Sequence, residues 1–586
     1  MAKENYAEHV KHAKHEQSNS VASAATDVDS RRQFLKFGAA TGAAAASNLL
    51  FANAAVAQPP AGGGPRSNRG GGNADANRAR AALQIRERAA DQHYEETLAL
   101  GQQPSNGDEN RYEGESFYAS YSKALPSNDF GEVDPSAFES LRVAMRSGSK
   151  EDLDSIPLDS TAGRNLTNPQ GAFKFEMAGL DNHATRILPS WQFRSAELAG
   201  QLGEVYWQAL ARDVPFINYE NNRMIAAAVR DLNGFSATPG ARSNGPTTAA
   251  NIFRGETPGD LIGPYISQFL WHDFSFGSQY IEQRFEVPLP FDFMIDEGNW
   301  LNIQRGGSPA ETAFFESDRR YIFNNRSLGE YVHRDISFQA YLNAALILLG
   351  EGNDVLDPGN PYLSSPNQDG FATFGAPFIL DMVTKAANLA LTGAWFQKWR
   401  VHRFLRPEAM GGRIHFQLTG LRSYEIHDDI LNSSAVARVY GGNGTYLLPQ
   451  AFIEGSPTHP SFPAGHACMA GACVTILKAY FNEDYVLPET VQADATGSSL
   501  LPYTDTALTV GNELNKLANN IALGRDAAGV HYRQDGIEGL RAGEQQAISL
   551  LQDQSRTLNE DDFDGFSLKS FDGSQINIRN GEVALN

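Results

Sequence analysis

Long apolar stretches with helical rather than alternating spacing restrict most strongly how this chain can fold. Residues 335–350, DISFQAYLNAALILLG, place Phe338, Tyr341, Leu342, Ala345 and Leu346 on one helical face. Residues 385–404, KAANLALTGAWFQKWRVHRF, predict a second helix, stopped at Arg406-Pro407 because a residue before proline is pushed out of helical geometry. A third helix follows His466 and runs to about Tyr480, and a fourth begins near Val530 and continues through EGLRAGEQQAISLLQDQ. Few stretches alternate, and no repeat of fixed period is present. The chain reads as mainly all-α: helical bundles joined by substantial loops.

The N-terminus carries an address. Ser30-Arg31-Arg32-Gln33-Phe34-Leu35-Lys36 precedes an uncharged, Ala-rich stretch that ends in the small-x-small pattern Ala55-Val56-Ala57. This resembles a twin-arginine export signal, so residues 1–57 are expected to direct the protein to the periplasm or the exterior. Residues 58–77, rich in Gly, Pro and Asn, read as a flexible linker. Residues 78–320 form an N-terminal helical and loop region, with short helices expected from about 105. Residues 321–560 form the bundle that carries the polar motifs, and 561–586 a C-terminal tail. No other run of about 18 apolar residues occurs, so no membrane span is expected in the mature chain. A net charge of −21 argues against nucleic acid as partner. Cys468 and Cys473 are five apart in a helical stretch, point to different faces, and read as buried apolar residues rather than a bridge.

In an acidic protein, clustered cations are informative. Lys398 and Arg406 are eight apart, close to one stripe if the helix persists. In HPSFPAGHACMAGA, 459–472, a Pro-Ala-Gly turn ends at His466 and opens into small residues, the pattern of a helix N-terminus with free N–H groups. Arg525 and His531 flank a turn containing Gly529, with Asp535 one turn further on. Forked arginines, a lysine and the Gly465 N–H could hold a tetrahedral oxyanion. His466 could move a proton, His531 could act as nucleophile or metal ligand, and Asp535 could orient its ring. Taken singly, each of these is more often a solvated charge or a satisfied polar residue; the ordered set is what carries the signal.

That order, K-x6-7-R-P, then P-S-G-H, then S-R-x5-H-x3-D, resembles the superfamily joining type-2 phosphatidic-acid phosphatases, bacterial acid phosphatases and vanadium-dependent haloperoxidases. Here Ala464 and Gly524 stand where serines are usual. The chain length and the segments HPSFPAGHA and HRDISFQAYLNA are similar to those of algal-type vanadium bromoperoxidases. The resemblance implies the haloperoxidase/acid-phosphatase-like helical fold and one vanadate per subunit. It assigns Lys398, Arg406, Gly465 and Arg525 to the vanadate oxygens and His531 to the vanadium itself. His466 becomes the acid–base residue, Asp335 its candidate partner, and Lys398 also the group that polarises peroxide. His459, seven before His466, suggests bromide and iodide as the halides. The implied reaction is oxidation of halide by hydrogen peroxide to hypohalous acid or an equivalent, which halogenates small organic acceptors. Relatives form homo-oligomers, and some hold calcium, for which the loop 357–370, DPGNPYLSSPNQDG, has oxygen ligands, although its composition favours a solvated loop.

Two other functions remain open on the residues alone. In an acid phosphatase, His531 would attack phosphorus and His466 would protonate the leaving group. A periplasmic oxyanion-binding protein would need the cations but not both histidines.

Overall fold

The computed structural model describes residues 71–101, 103–237 and 245–585. The expected export signal, 1–57, and most of the linker, 58–70, lie outside these residues. The chain divides into two units at Arg80/Ala81, and of the first only residues 71–80 are described. Helix α1, Gly71–Leu100, begins inside the segment read as linker, so the helical pattern of 78–100 extends backward over Gly and Asn residues that were expected to break it. All that follows concerns the second unit.

Its first half is loop-rich. The longer helices are α2, Pro135–Ser147, α3, Ala196–Leu210, α4, Arg223–Leu232, and α5, Glu297–Gln304. Their starts follow local chemistry: the side chains of Asp134, Ser195, Asn222 and Asp296 each accept a backbone N–H of the first turn. A hairpin of β1, Phe274–Phe276, and β2, Gln279–Ile281, lies between α4 and α5.

The second half holds the long helices. They are α6, Asn325–Arg334, α7, Gln339–Gly350, α8, Ala376–Phe396, α9, Pro407–Leu418, α10, Ser434–Asn443, α11, Gly465–Tyr480, α12, Val510–Ala527, and α13, Arg533–Ser555. A second hairpin pairs β3, Val491–Ala493, with β4, Leu500–Pro502. The C-terminal tail forms an antiparallel sheet of β5, Phe566–Lys569, β6, Gln575–Arg579, and β7, Glu582–Leu585. Helix α11 is buried along nearly its whole length, packed against α8, α12 and α13. Glycines permit the closest crossing, between α11 and α13. A Cβ at Gly543 would lie 1.9 Å from the Cys468 carbonyl oxygen, and one at Gly471 2.1 Å from that of Leu540. Cys468 and Cys473 are buried and unbridged. Among the described residues, no helix is long and apolar enough to cross a membrane.

Two helices depart from the sequence reading at points that matter for the site. The stretch 335–350 is not one helix: Asp335 is extended and ends α6, and α7 starts only at Gln339, whose side chain accepts the Ile336 N–H. The helix through Lys398 does not persist to Arg406 either. After Phe396 it widens into a π turn, Gln397–His402, and Arg403 then takes a left-handed conformation with φ 39°. Pro407 is therefore the first residue of α9 rather than the end of α8, a position where its missing N–H costs nothing.

Candidate active site

The π turn and the left-handed Arg403 reverse the chain, so Lys398 and Arg406 reach one spot from different elements. Both are buried at the centre of the bundle. The strap 459–461 runs across them. Lys398 Nζ donates to the carbonyls of Pro460 at 2.8 Å and Ser461 at 2.5 Å. Arg406 Nε donates to the His459 carbonyl at 3.0 Å, and its Nη1 to that of Val530 at 2.8 Å. The same guanidinium meets two imidazoles, His531 Nε2 at 2.9 Å from Nη1 and His459 Nδ1 at 3.0 Å from Nη2.

His531 stands in the loop between α12 and α13, just after Gly529, whose φ of +86° makes the turn. Its Nδ1 lies 2.6 Å from Asp535 Oδ2 in the first turn of α13. The carboxylate accepts the hydrogen bond of Nδ1–H, so Nε2 keeps its lone pair and accepts from Arg406. Arg525, in the last turn of α12, donates through Nη1 to the Val332 carbonyl at 2.8 Å. Its Nε is buried without a protein acceptor.

His466 lies at the mouth. It is 26% exposed, and its Nε2 is 3.0 Å from Oδ1 of the buried Asp335. The break between α6 and α7 is what lets Asp335 turn toward it. Gly465 is the first residue of α11, and Ala464 precedes it as an N-cap with no side-chain oxygen. The N–H groups of this first turn are thus left uncapped, at the positive end of a helix of 16 residues. A Cβ at Gly465 would contact Trp395 at 3.4 Å and Leu391 at 3.5 Å, and the Trp395 ring centroid lies 4.9 Å from that of His459.

Burial and mutual repulsion govern the charges. Burial first, then Arg406, drives the Lys398 ammonium well below its usual value, against the pull of Asp535. Burial lowers Arg406 and Arg525 to about 10 each. Burial, then Arg406 and Lys398, keeps His531 and His459 well below the usual imidazole value, hence neutral. Burial raises Asp535 to about 6, opposed by Ser461 and Lys398. Such a set is costly without a counter-charge, and an oxyanion supplies it. The donors fit that group: the orphaned Arg525 Nε, the uncapped helix end and a lysine, with one imidazole lone pair, an acceptor, beside them. Among the described residues, no group of three or more His, Cys, Asp or Glu side chains is placed to hold a metal ion. In the loop 357–370, Asp357 and Asn360 spend side-chain oxygens on the N–H groups of Gly359 and Tyr362, which gives no support for calcium there.

All the residues singled out in the sequence, Lys398, Arg406, His459, Gly465, His466, Arg525 and His531, with Asp335 beside His466, fall in this one region. Others escaped notice. Ser461 Oγ donates to Asp535 Oδ2 at 2.5 Å. Lys123 and Glu408 form a fully buried pair at 2.6 Å behind the strap; Lys123 also donates to the Ser456 carbonyl and Glu408 accepts the Ser456 N–H. Ser461 sits inside the quoted motif and was open to notice; Lys123 is far away in sequence, with no local signal.

Comparison with known proteins agrees with this geometry. A family model described as the VCPO second helical-bundle domain matches residues 379–560, and one for the twin-arginine translocation pathway signal sequence matches residues 30–47, which supports export by that pathway. A vanadium-dependent bromoperoxidase of Ascophyllum nodosum is 37% identical over 484 residues, covering 78% of this chain and 86% of that protein. One from Corallina officinalis is 34% identical over 571 residues, covering 83% and 94%. The solved homohexameric structure of the second vanadate-dependent bromoperoxidase of Ascophyllum nodosum superposes with a TM-score of 0.82 at 30% identity, covering 91% of this chain and 96% of that one. Nothing in the site or in these relatives favours the acid phosphatase. Sequence, fold and relatives together make this chain a member of the vanadium-dependent bromoperoxidase family.

Proposed function

We propose that the protein oxidises bromide and iodide with hydrogen peroxide to hypohalous acid or an equivalent, which halogenates small organic acceptors. One vanadate per subunit would be held by Lys398, Arg406, Gly465, Arg525 and His531. The observation that carries this reading is the His531 Nε2 lone pair, set by Asp535 and surrounded by buried cations. Vanadate, a phosphate mimic that readily becomes five-coordinate, supplies an electrophilic centre that activates peroxide without changing its own oxidation state.

The chain's own groups do the rest. Lys398, the Gly465 N–H and Arg525 Nε donate toward the oxyanion, where low polarity strengthens each hydrogen bond. Binding an anion also favours the charged form of Lys398, which can then polarise the bound oxidant. His466, held by Asp335 and about a quarter exposed to solvent, takes up the proton that hydrogen peroxide sheds. His459, kept neutral and lying against Trp395, forms the wall where halide is taken. The missing hydroxyl at Ala464 leaves one donor fewer than relatives offer, to be made up by water or by the uncapped helix end. The match to a twin-arginine signal supports export, for which the periplasm or the cell exterior is the proposed destination, and the homohexameric neighbour supports a homo-oligomer.

The test is a titration of vanadium-free protein with orthovanadate, followed by bromination. Activity should appear with vanadate, and phosphate should compete. Activity that persists without vanadate, or follows iron or haem instead, would overturn the proposal.

A further inference from the structure

The strap His459-Pro460-Ser461 orients the site's floor with three consecutive residues. Its carbonyls hold Lys398 and Arg406, and its last side chain reaches the opposite wall. Ser461 is fully buried, with its N–H on the Phe404 carbonyl and its hydroxyl on Asp535 Oδ2. That one oxygen receives His531 Nδ1 at 2.6 Å, Ser461 Oγ at 2.5 Å and the Tyr532 N–H at 3.2 Å. The other oxygen of Asp535, Oδ1, is buried with no partner. The carboxylate is therefore held through a single atom. Without the hydroxyl, that oxygen keeps only the His531 ring N–H and the longer Tyr532 N–H, and the carboxylate is freer to turn.

We infer that Ser461 is a positioning residue for vanadate binding: its hydroxyl fixes the Asp535 carboxylate, which fixes the His531 ring with Nε2 toward the cradle. This rests on the proposed role of His531 as the vanadium ligand. The hydroxyl's short bond is to Asp535 at 2.5 Å, while His531 Nδ1 lies at a long 3.4 Å, so its effect passes chiefly through Asp535. A hydrogen bond to a buried carboxylate transmits a loss of about tenfold in affinity when removed.

Equilibrium dialysis of vanadium-free protein against orthovanadate, with bound vanadium counted directly, tests this without relying on activity. Ser461→Ala should weaken vanadate binding about tenfold, leave KM for bromide unchanged in the vanadate-saturated enzyme, and barely move the melting temperature of the vanadium-free chain. Ser461→Thr, which keeps the hydroxyl, should restore most of the affinity. In an Asp535→Ala background, Ser461→Ala should have little further effect, because the carboxylate it holds is gone. Unchanged affinity in Ser461→Ala would overturn the inference, as would full additivity with Asp535→Ala. An affinity loss matched by a collapse of the vanadium-free melt would make the hydroxyl merely structural and overturn it too. If the unaltered protein binds no vanadate, it is the proposed function that fails.

Discussion

Two of the three histidines at this site, His531 and His466, each have one carboxylate partner, yet their surroundings differ. His531, on the floor, is almost wholly buried and meets Asp535, Arg406 and Ser461. His466, at the mouth, is 26% exposed and is tied only to Asp335. The floor takes its donors and acceptors from elements far apart in sequence, many of them backbone carbonyls, and excludes solvent. The mouth leaves a ring edge accessible. A floor of that kind suits binding and a mouth of that kind suits proton exchange, so substitutions should divide along the same line.

The largest effect expected is from His531→Ala, which removes the imidazole lone pair and leaves Arg406 partly unpaired. Vanadate affinity should fall by about a hundredfold or more, measured by dialysis, with bromination lost at ordinary vanadate concentrations. His466→Ala should instead keep vanadate binding and lower turnover by about a hundred- to ten-thousandfold. Equal losses of affinity in the two variants would abolish the distinction between floor and mouth. His459→Ala lies between them and should lower bromide use more than vanadate retention, read from KM for bromide and from activity after dialysis.

Ala464→Ser is smaller and sharper. It returns a hydroxyl donor beside the helix end, worth roughly 1.5–3 kcal/mol if it reaches the anion, so vanadate should be retained longer on dialysis. Unchanged retention would mean that the site is already built around alanine.

The smallest effect concerns what lies behind the floor. His402, buried beside Gln397 with Nδ1 unpartnered, is lowered to about 3 by burial and by Arg403. Below its ordinary value of 6.5 the unfolded chain takes up a proton that the folded chain refuses, so stability falls as pH drops from there toward about 3. At pH 5.5 the penalty is about 1 kcal/mol. Replacing His402 by Leu should make urea unfolding less sensitive to acid over this window, and an equal acid sensitivity in both proteins would refute the assignment.

Much of this was legible in the sequence because the chemistry is local. Helix α11 begins at Gly465 and ends at Tyr480, where its apolar run stops. His531 and Asp535 are one turn apart on the page and in space. The rest depended on shape. The chain reversal between Lys398 and Arg406 turns on an arginine with positive φ, which no residue preference announces. Asp335 reads in the sequence as part of a helix, whereas it ends α6 and meets His466, and no Gly or Pro in 335–338 marks the break. Helix α12 went unread, although Leu514, Leu517, Ala518 and Ile521 carried the spacing that could have revealed it.

The bare glycines where α11 crosses α13 have a consequence for how such a site can diversify. One of these helices carries His466 and the other begins beside His531, and backbone meets backbone where they cross, with no room even for a methyl at Gly543 or Gly471. The spacing between the two histidine stations is thus an engraved dimension. No choice of side chain in the crossing can widen or narrow it without prising the helices apart. Natural variation has to work at the edges, on residues such as Ala464, Trp395 and His459, while the ruler between binding and proton transfer stays the same length.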